Sequence, residues 1–493
     1  MAAREYLEGR KLAPAILGRV LVLGLGKSGR AAAEYCLDLL GGRVEELAVA
    51  AGAPSGEAEA WAEAARARGA VVLFDHEAIE GSYDVCIASP GISQLSDFYR
   101  SAEAASAEVV SEVEFAWRES ASDAKWVAVT GTNGKTTTTA LAAHLLRQAG
   151  LAAAAVGNIG DTCIQAVAAG KTEVYVAEVS SYQLASTRDF APNVALVLNI
   201  TPDHLAWHGS HEAYAAAKWK VLANLGSVPG AVAVLAACDD AVRARIREAR
   251  EAGGFPFAYV PVGTAAGVGG DMRDACGSDN AAFRGAAGRL TVALRGEVSE
   301  LIYVDDLQIK GAHNQANALA AASAALALDV PASIVAEGLL SFAPLEHRVE
   351  PAGEVAGVAC YNDSKATNVD ATLVALTAFL PTRPIVLLGG RDKGTDLAPL
   401  VAACEEHAKA AVCFGEARER FLAAFEGSGV RTLSAPGMEA ALDAALSIAE
   451  PGDVVVLSPA CASFDEFSCF EERGDVFKAL VAERAARAAG ARP

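Results

Sequence analysis

The sequence lacks any apolar run long enough to cross a bilayer. Its longest nearly uncharged helix-like stretch, Ala316 to Leu328, is shorter than the about 20 residues a span requires. The opening MAAREYLEGRKLAP carries no apolar segment of signal-peptide type. Close cysteine pairs are also missing. The ten cysteines are scattered and no CxxC occurs, which excludes a disulfide framework and points to reduced thiols. Positive charge is the scarcer sign, with 41 Lys and Arg against 61 Asp and Glu and a net charge of −20. A general nucleic-acid or anionic-membrane binder is excluded on that balance. An anionic substrate must meet local basic residues instead. The expectation is a soluble, cytoplasmic enzyme with no nucleic-acid or membrane partner.

Apolar residues are plentiful, at 52% of 493 residues. That supplies several cores and argues against disorder. The length alone predicts roughly three domains.

The stretch with most chemistry is Lys125 to Gln148, KWVAVTGTNGKTTTTALAAHLLRQ. Trp126 to Val129 reads as a buried strand. A loop follows from Gly131 to Gly134, then a helical pattern with Leu141, Leu145 and Leu146 on one face. Strand, Gly-containing loop and helix is the layout of a phosphate-binding loop. Backbone N–H groups and the helix N-terminus face the phosphates. Lys135 can reach the terminal phosphates, and the Thr136 hydroxyl can ligate Mg²⁺. The general pattern G-x-x-x-x-G-K-[ST] is incomplete, because Val129 stands at its first glycine. A strand–turn–helix with a chance GKT is the alternative.

Upstream, RVLVLGLGKSG runs a strand into G-x-G-x-x-G at Gly24, Gly26 and Gly29. An NAD site also needs an acid at the end of the second strand. That strand, VEELAVAAG, has Glu45 and Glu46 at its start and Ala50 and Ala51 at its end. NAD and another diphosphate both remain open. Strands are predicted at Val71 to Phe74 and Val85 to Ala88, the latter running into the turn Ser89-Pro90-Gly91-Ile92. The segment Arg100 to Asp123 is mostly helical in composition.

Further on, GNIG presents Asn158 in a polar turn, and the strand Val174 to Val179 delivers Glu178. An acid at a strand end after a phosphate loop suits Mg²⁺ binding or water positioning, with a capping Glu as the alternative. The strand Val194 to Ile200 leads to His204, His208 and His211. The Gly209-Ser210 break and the lack of HExxH leave zinc the weaker reading beside one His that orients a metal water or carboxylate. Lys218 and Lys220 fall on a helix, and two solvated lysines are the plain alternative. Residues 255–306 look like an antiparallel excursion. From Gly311 a helix begins with Asn314 and Asn317 on one face. PLEHR, Pro344 to Arg348, reads as a linker. Four strands follow, near Val358 to Tyr361, Pro384 to Leu388, Ala411 to Phe414 and Val454 to Leu457. Three end in polar turns, YNDSKATN, LGGRDKG and LSPACASFDEF, at one carboxyl edge.

The string TGTNGKTT resembles the loop of the Mur ligase and folylpolyglutamate synthase superfamily. GLGKSG, SPGI, GNIG, EVSSYQL, NITPDHL, AAK, LEHR, NDSKATN and SPACASFDEF extend the resemblance along almost the whole chain. They match the D-glutamate-adding branch of the Mur ligase family, with NDSKATN and SPACASFDEF as the discriminating strings. The resemblance implies an α/β fold in three domains. Residues 1–123 would be a Rossmann-like domain for the UDP substrate. Residues 124–343 would be a central P-loop ATPase-like domain with a mostly parallel sheet. Residues 344–493 would be a Rossmann-like domain for the amino acid and ATP.

It also implies roles. Leu25, Gly26, Lys27, Ser28, Ser89, Pro90, Gly91, Asn158 and His204 would hold the UDP substrate. Gly131, Thr132, Asn133, Gly134, Lys135, Thr136, Thr137, Asn314, Asn317, Arg348, Asp363 and Lys365 would bind ATP. Thr136, Glu178, His204 and a modified Lys218, carried as a carbamate, would organise two Mg²⁺ ions. Lys135, Glu178, His204 and Lys218 would be the catalytic set. Thr367, Lys393, Ser463 and Phe470 would receive D-glutamate. The implied activity joins D-glutamate to UDP-N-acetylmuramoyl-L-alanine through an acyl phosphate, in a monomer. Three departures stand out: the second strand lacks an acidic end, Ala206 stands where relatives have Asp, and Phe464 stands where they have Leu.

Overall fold

The computed structural model describes residues 5–75, 78–270, 276–392 and 394–490. The chain packs as two compact units. One contains the residues up to 304 together with 316–340, and the other contains 305–315 with the chain from 341 onward.

The first unit holds two parallel sheets. Strands β1 (Gly18–Leu23), β2 (Val44–Ala51), β3 (Val71–Phe74), β4 (Val85–Ala88) and β5 (Val109–Ser111) form the first, in the order β3-β2-β1-β4-β5. All its pairings are parallel. Val20 to Leu23 are fully buried, as expected of a strand covered on both faces. The segment expected to be helical contains the helices Asp97–Ala104 and Glu112–Glu119, with β5 between them. A three-residue strand has too few positions to show a period of two.

The central sheet contains β6 (Lys125–Thr130), β7 (Ala153–Gly157), β8 (Val174–Glu178), β9 (Val194–Val197), β10 (Val232–Leu235) and β11 (Ala258–Pro261). Its order is β11-β10-β9-β6-β8-β7, all parallel. The helix Lys135–Gln148 follows β6 and buries Leu141, Leu145 and Leu146 completely. Each such leucine contributes roughly 1.5–3 kcal/mol. The antiparallel excursion is narrower than 255–306. It comprises β12 (Ala281–Arg284), β13 (Arg289–Leu294) and β14 (Glu297–Tyr303), whereas β11 pairs parallel to β10.

One apolar core runs without a break from Leu17 and Val20 of the first sheet, through Trp117 and Trp126, to Phe283. Trp126 stacks on Tyr175 with ring centres 4.7 Å apart and meets Phe190 edge-on at 6.0 Å. Buried ion pairs brace the same join. The Glu119 carboxylate accepts from Arg43 Nη1 at 2.7 Å, Arg43 Nη2 at 2.8 Å and the Tyr35 hydroxyl at 2.9 Å. Arg118 Nη2 donates to Glu114 at 2.6 Å and to Asp189 at 2.8 Å. Asp123 therefore lies inside a continuously packed unit.

The second unit is one sheet with helices on both faces. It contains β15 (Glu350–Val355), β16 (Val358–Asn362), β17 (Ile385–Gly389), β18 (Ala410–Phe414), β19 (Thr432–Ser434) and β20 (Val454–Ala460). The order is β15-β16-β20-β17-β18-β19, with only β15 antiparallel. Separate apolar clusters fill its two faces. The three polar turns expected at one edge do follow parallel strands β16, β17 and β20, which are neighbours.

Candidate active site

The phosphate loop leaves β6 at the point where its neighbours β8 and β9 diverge, the switch point where ligands of open α/β sheets sit. Gly134 caps the following helix at φ +82°, in the left-handed region, and a Cβ there would come within 2.6 Å of Asn317 Oδ1. Only glycine suits both demands. Asn199, just past β9, clamps the loop: it accepts from the Asn133 N–H at 2.7 Å and donates to the Asn133 carbonyl at 3.1 Å. The Thr132 hydroxyl meets the Tyr214 hydroxyl at 2.8 Å. Lys135 folds back, donating to the carbonyls of Gly131 at 2.9 Å and Thr132 at 2.8 Å. Thr136 is half-buried on the first helical turn and Thr137 is buried.

Glu178 ends β8 and is buried. Its Oε1 accepts from Asn158 Nδ2 at 2.9 Å, while its buried Oε2 has no hydrogen-bond partner. An orphaned buried carboxylate oxygen calls for a partner, and a hard cation fits it. Lys218 sits on the helix His211–Trp219. That helix is capped by Ser210, whose hydroxyl accepts from Ala213 N–H at 3.1 Å. Tyr214, Ala217 and Lys218 form its buried stripe. Lys218 is only 2% exposed, so the reading as a solvated lysine fails. Its Nζ donates to the Gly131 carbonyl at 2.7 Å and lies 4.7 Å from the Tyr214 ring centre. Burial, with Lys135 close by, pushes the amine down to about 6. Lys220 falls on a 3₁₀ turn instead of the helix.

His204 has φ +53°, and its ring lies 4.8 Å from that of Tyr182, tilted by 50°. Burial lowers its pKa, and Lys218 and Lys135 add to the effect. His208 donates to or accepts from the Ser181 hydroxyl at 2.9 Å and sits among Tyr182, Trp207 and Tyr214. Among the described residues no group of three or more His, Cys, Asp or Glu could hold a metal ion.

At the first sheet, Leu25 to Ser28 leave β1 and Ser89 to Gly91 leave β4, again on either side of a switch point. The Ser89 hydroxyl donates to the Gly24 carbonyl at 3.2 Å, and a Cβ on Gly29 would lie 1.9 Å from that oxygen. Lys27 Nζ donates to the Gly160 carbonyl, joining this turn to GNIG.

In the second unit Asp363 is buried at the end of β16. It accepts from the Ser458 hydroxyl at 2.7 Å and the Val349 N–H at 3.3 Å. Burial pushes its carboxyl up to about 7 against the pull of Ser458 and Arg348. Lys365 Nζ lies 3.6 Å from the Phe470 ring centre, and the Thr367 N–H donates to the Lys365 carbonyl at 2.8 Å. Ser463 is buried beside the exposed Phe464. Asn314 Nδ2 donates to the Lys310 carbonyl at 2.8 Å. Lys393 lies outside the described residues.

Sequence reasoning missed Arg473. It is fully buried and donates to Ser364 Oγ at 2.9 Å, the Ser364 carbonyl at 2.8 Å and the Cys461 carbonyl at 3.1 Å, tying two of the polar turns together. The available signal was an Arg at i+3 from Phe470 on an otherwise apolar helix face. Asn199 and Tyr214 carried no signal, because their partners lie far off in sequence.

Residues 129–325 match the Mur ligase middle domain, and residues 347–461 match the Mur ligase, glutamate ligase domain. The UDP-N-acetylmuramoylalanine–D-glutamate ligase of Salinibacter ruber is 40% identical, covering 94% of this chain and 97% of that protein. The enzyme of the same name from Pelotomaculum thermopropionicum is 38% identical over the same shares. The fold is shared with the UDP-N-acetylmuramate-alanine ligase of Thermotoga maritima. There the TM-score is 0.53 at 18% identity, covering 95% of this chain and 99% of the other. These likenesses define the class: an ATP-dependent, ADP-forming amide ligase that works with Mg²⁺. The chain belongs to the Mur ligase family.

Proposed function

We propose that the chain joins D-glutamate to UDP-N-acetylmuramoyl-L-alanine, in cytoplasmic peptidoglycan-precursor synthesis. The names of its relatives and the discriminating strings NDSKATN and SPACASFDEF support this reading. An alanyl carboxylate oxygen attacks the γ-phosphorus of ATP, ADP leaves, and an acyl phosphate forms. The D-glutamate amine attacks the acyl carbon and loses a proton. The tetrahedral intermediate then expels phosphate. The protein's task is positioning and charge neutralisation.

The observation that carries the reading is the convergence at Gly131. Lys135 and Lys218 both donate to its carbonyl, and the buried Glu178, whose Oε2 has no partner, acts electrostatically on Lys218. In the first unit Gly131 to Thr137 and Asn317 bind ATP; in the second, Asn314, Arg348, Asp363 and Lys365 are assigned to ATP. Leu25 to Ser28, Ser89 to Gly91, Asn158 and His204 hold the UDP substrate. Thr367, Lys393, Ser463 and Phe470 receive D-glutamate. The chain then divides by task into 1–123, 124–343 and 344–493.

Thr136, Glu178, His204 and Lys218 would hold two Mg²⁺ ions, which would supply positive charge against the phosphates. An ammonium would oppose a cation there. A neutral Lys218 amine instead adds to CO₂, loses a proton and becomes an anionic carbamate. The low pKa imposed by burial supplies that neutral amine. The experiment is ADP release with UDP-N-acetylmuramoyl-L-alanine and a panel of amino acids. D-glutamate should be the only good acceptor, and equal turnover with L-glutamate or L-alanine overturns the assignment.

A further inference from the structure

The GNIG turn, Gly157 to Gly160, is held from two sides. On the central sheet the Asn158 N–H donates to the Glu178 carbonyl at 3.0 Å, and the Asn158 side chain donates to Glu178 Oε1 at 2.9 Å. From the side of the first sheet, Lys27 Nζ donates to the Gly160 carbonyl. A second contact from that side reaches the helix Cys163–Ala169, which follows the turn. Glu112, the first residue after β5, is 1% exposed. Its Oε1 accepts from the Ile164 N–H, in the first turn of that helix, at 2.6 Å. Burial pushes the Glu112 carboxyl up to about 7, against the pull of the Ile164 and Cys163 N–H groups and of Lys27. Capping does not explain an acid here. Thr162 already caps the helix, in a complete capping box with Gln165. Thr162 Oγ1 accepts from the Gln165 N–H at 3.4 Å, and Gln165 Oε1 accepts from the Thr162 N–H at 3.1 Å. The arm itself is anchored, because the Ser111 N–H beside it donates to the Ser186 carbonyl at 2.9 Å.

We propose that Glu112 is a positioning residue for Asn158. The inference rests on the assignment of Asn158 to the UDP-linked substrate made above. The carboxylate fixes the start of the helix Cys163–Ala169. The helix start fixes the turn that runs into it, and the turn sets where the Asn158 side chain stands. Glu112 itself touches no substrate. It keeps Asn158 in register with the first sheet, whose turns Leu25 to Ser28 and Ser89 to Gly91 are assigned to the same substrate. An acid on the chain after β5 is thus the link that lets the two sheets present one binding surface.

The test is calorimetry with UDP-N-acetylmuramoyl-L-alanine on the full chain. Glu112→Ala should weaken binding by about tenfold or more, as a misplaced contact does. Glu112→Gln keeps an acceptor for the Ile164 N–H and should recover most of that loss. In an Asn158→Ala background the same Glu112→Ala change should matter by less than about twofold, because the group it positions is gone. A purely structural Glu112 would give the same factor in both backgrounds, and that result overturns the proposal. So does a Gln variant as weak as the Ala one, or an Ala variant that binds normally. Should Glu112→Ala fail to fold, Glu112→Asp, with an arm shorter by one methylene, takes its place with the same expectations. If the unaltered protein does not bind the UDP substrate, it is the reading of the reaction that fails. Amide hydrogen exchange then decides the positioning. Faster exchange confined to 157–164 in Glu112→Ala supports it, and unchanged or global exchange overturns it.

Discussion

Replacing Lys218 with methionine removes a titrating group while keeping the buried volume. Burial holds the folded-state amine at about 6, against an ordinary value of 10.5. Between those values the unfolded chain keeps a proton that the folded chain has released. Stability therefore rises with pH across that window, by about 1.36 kcal/mol per unit. Below the folded value the site must carry a buried ammonium, and the penalty is complete. Two pH units inside the window, from about pH 7 to about pH 9, correspond to about 2.7 kcal/mol from this residue.

The assay is urea unfolding of the wild type and Lys218→Met in CO₂-free buffer at both pH values. Subtracting the two proteins cancels the cysteines and histidines they share. The wild type should gain on the variant by up to about 2.7 kcal/mol as pH rises. Added bicarbonate should raise the stability of the wild type and leave Lys218→Met unchanged, because a carbamate formed only in the folded state stabilises that state. In turnover, Lys218→Ala should lose about 10²-fold or more, and acetate should restore part of the loss. Parallel stability curves for wild type and Lys218→Met would refute the reasoning. The folded lysine would then hold its proton as the unfolded one does, and no neutral amine would be at hand to meet CO₂.

Lys135→Ala should lower ADP release by about 10²-fold or more, since the charge aimed at the transferred phosphate is gone. Circular dichroism should be unaltered, and near wild-type turnover would refute the phosphate-loop reading. Asp363 has the opposite linkage to Lys218. Its folded carboxyl titrates at about 7 against an ordinary 3.8, so the folded state holds a proton the unfolded state has lost. Its contribution to stability should fall as pH rises from about 4 to about 7. Asp363→Asn should remove that slope in urea unfolding, and an unchanged slope would count against the burial argument.

The legible parts of this fold were those whose cause is local. β3 and β4 fall where continuous apolar runs ended in turn residues, and the phosphate loop is set by the string itself. β15 and β19 were not legible. β15 is an edge strand with only Val355 buried, so its sequence shows no apolar stripe. β11 was assigned to the wrong sheet because a four-residue strand does not encode its neighbour. At the site, Lys135, Glu178 and Lys218 stood out by position after strands or by motif. The clamp of Asn199 on Asn133 and the tie of Arg473 to Ser364 and Cys461 were hidden. The Asn199 clamp spans 66 residues and the Arg473–Ser364 contact 109, distances over which one sequence carries no pattern.

The first unit is discontinuous, built from the residues up to 304 and from 316–340. Asn317, which stands against Gly134 in the phosphate loop, belongs to the later piece. On a ribosome the glycine loop emerges long before the side chain that will press on it. A nascent chain halted near residue 304 would carry the whole central sheet with that flank of the loop uncovered. Nucleotide affinity should therefore be a late event in synthesis, acquired only when the helix carrying Asn317 has left the exit tunnel.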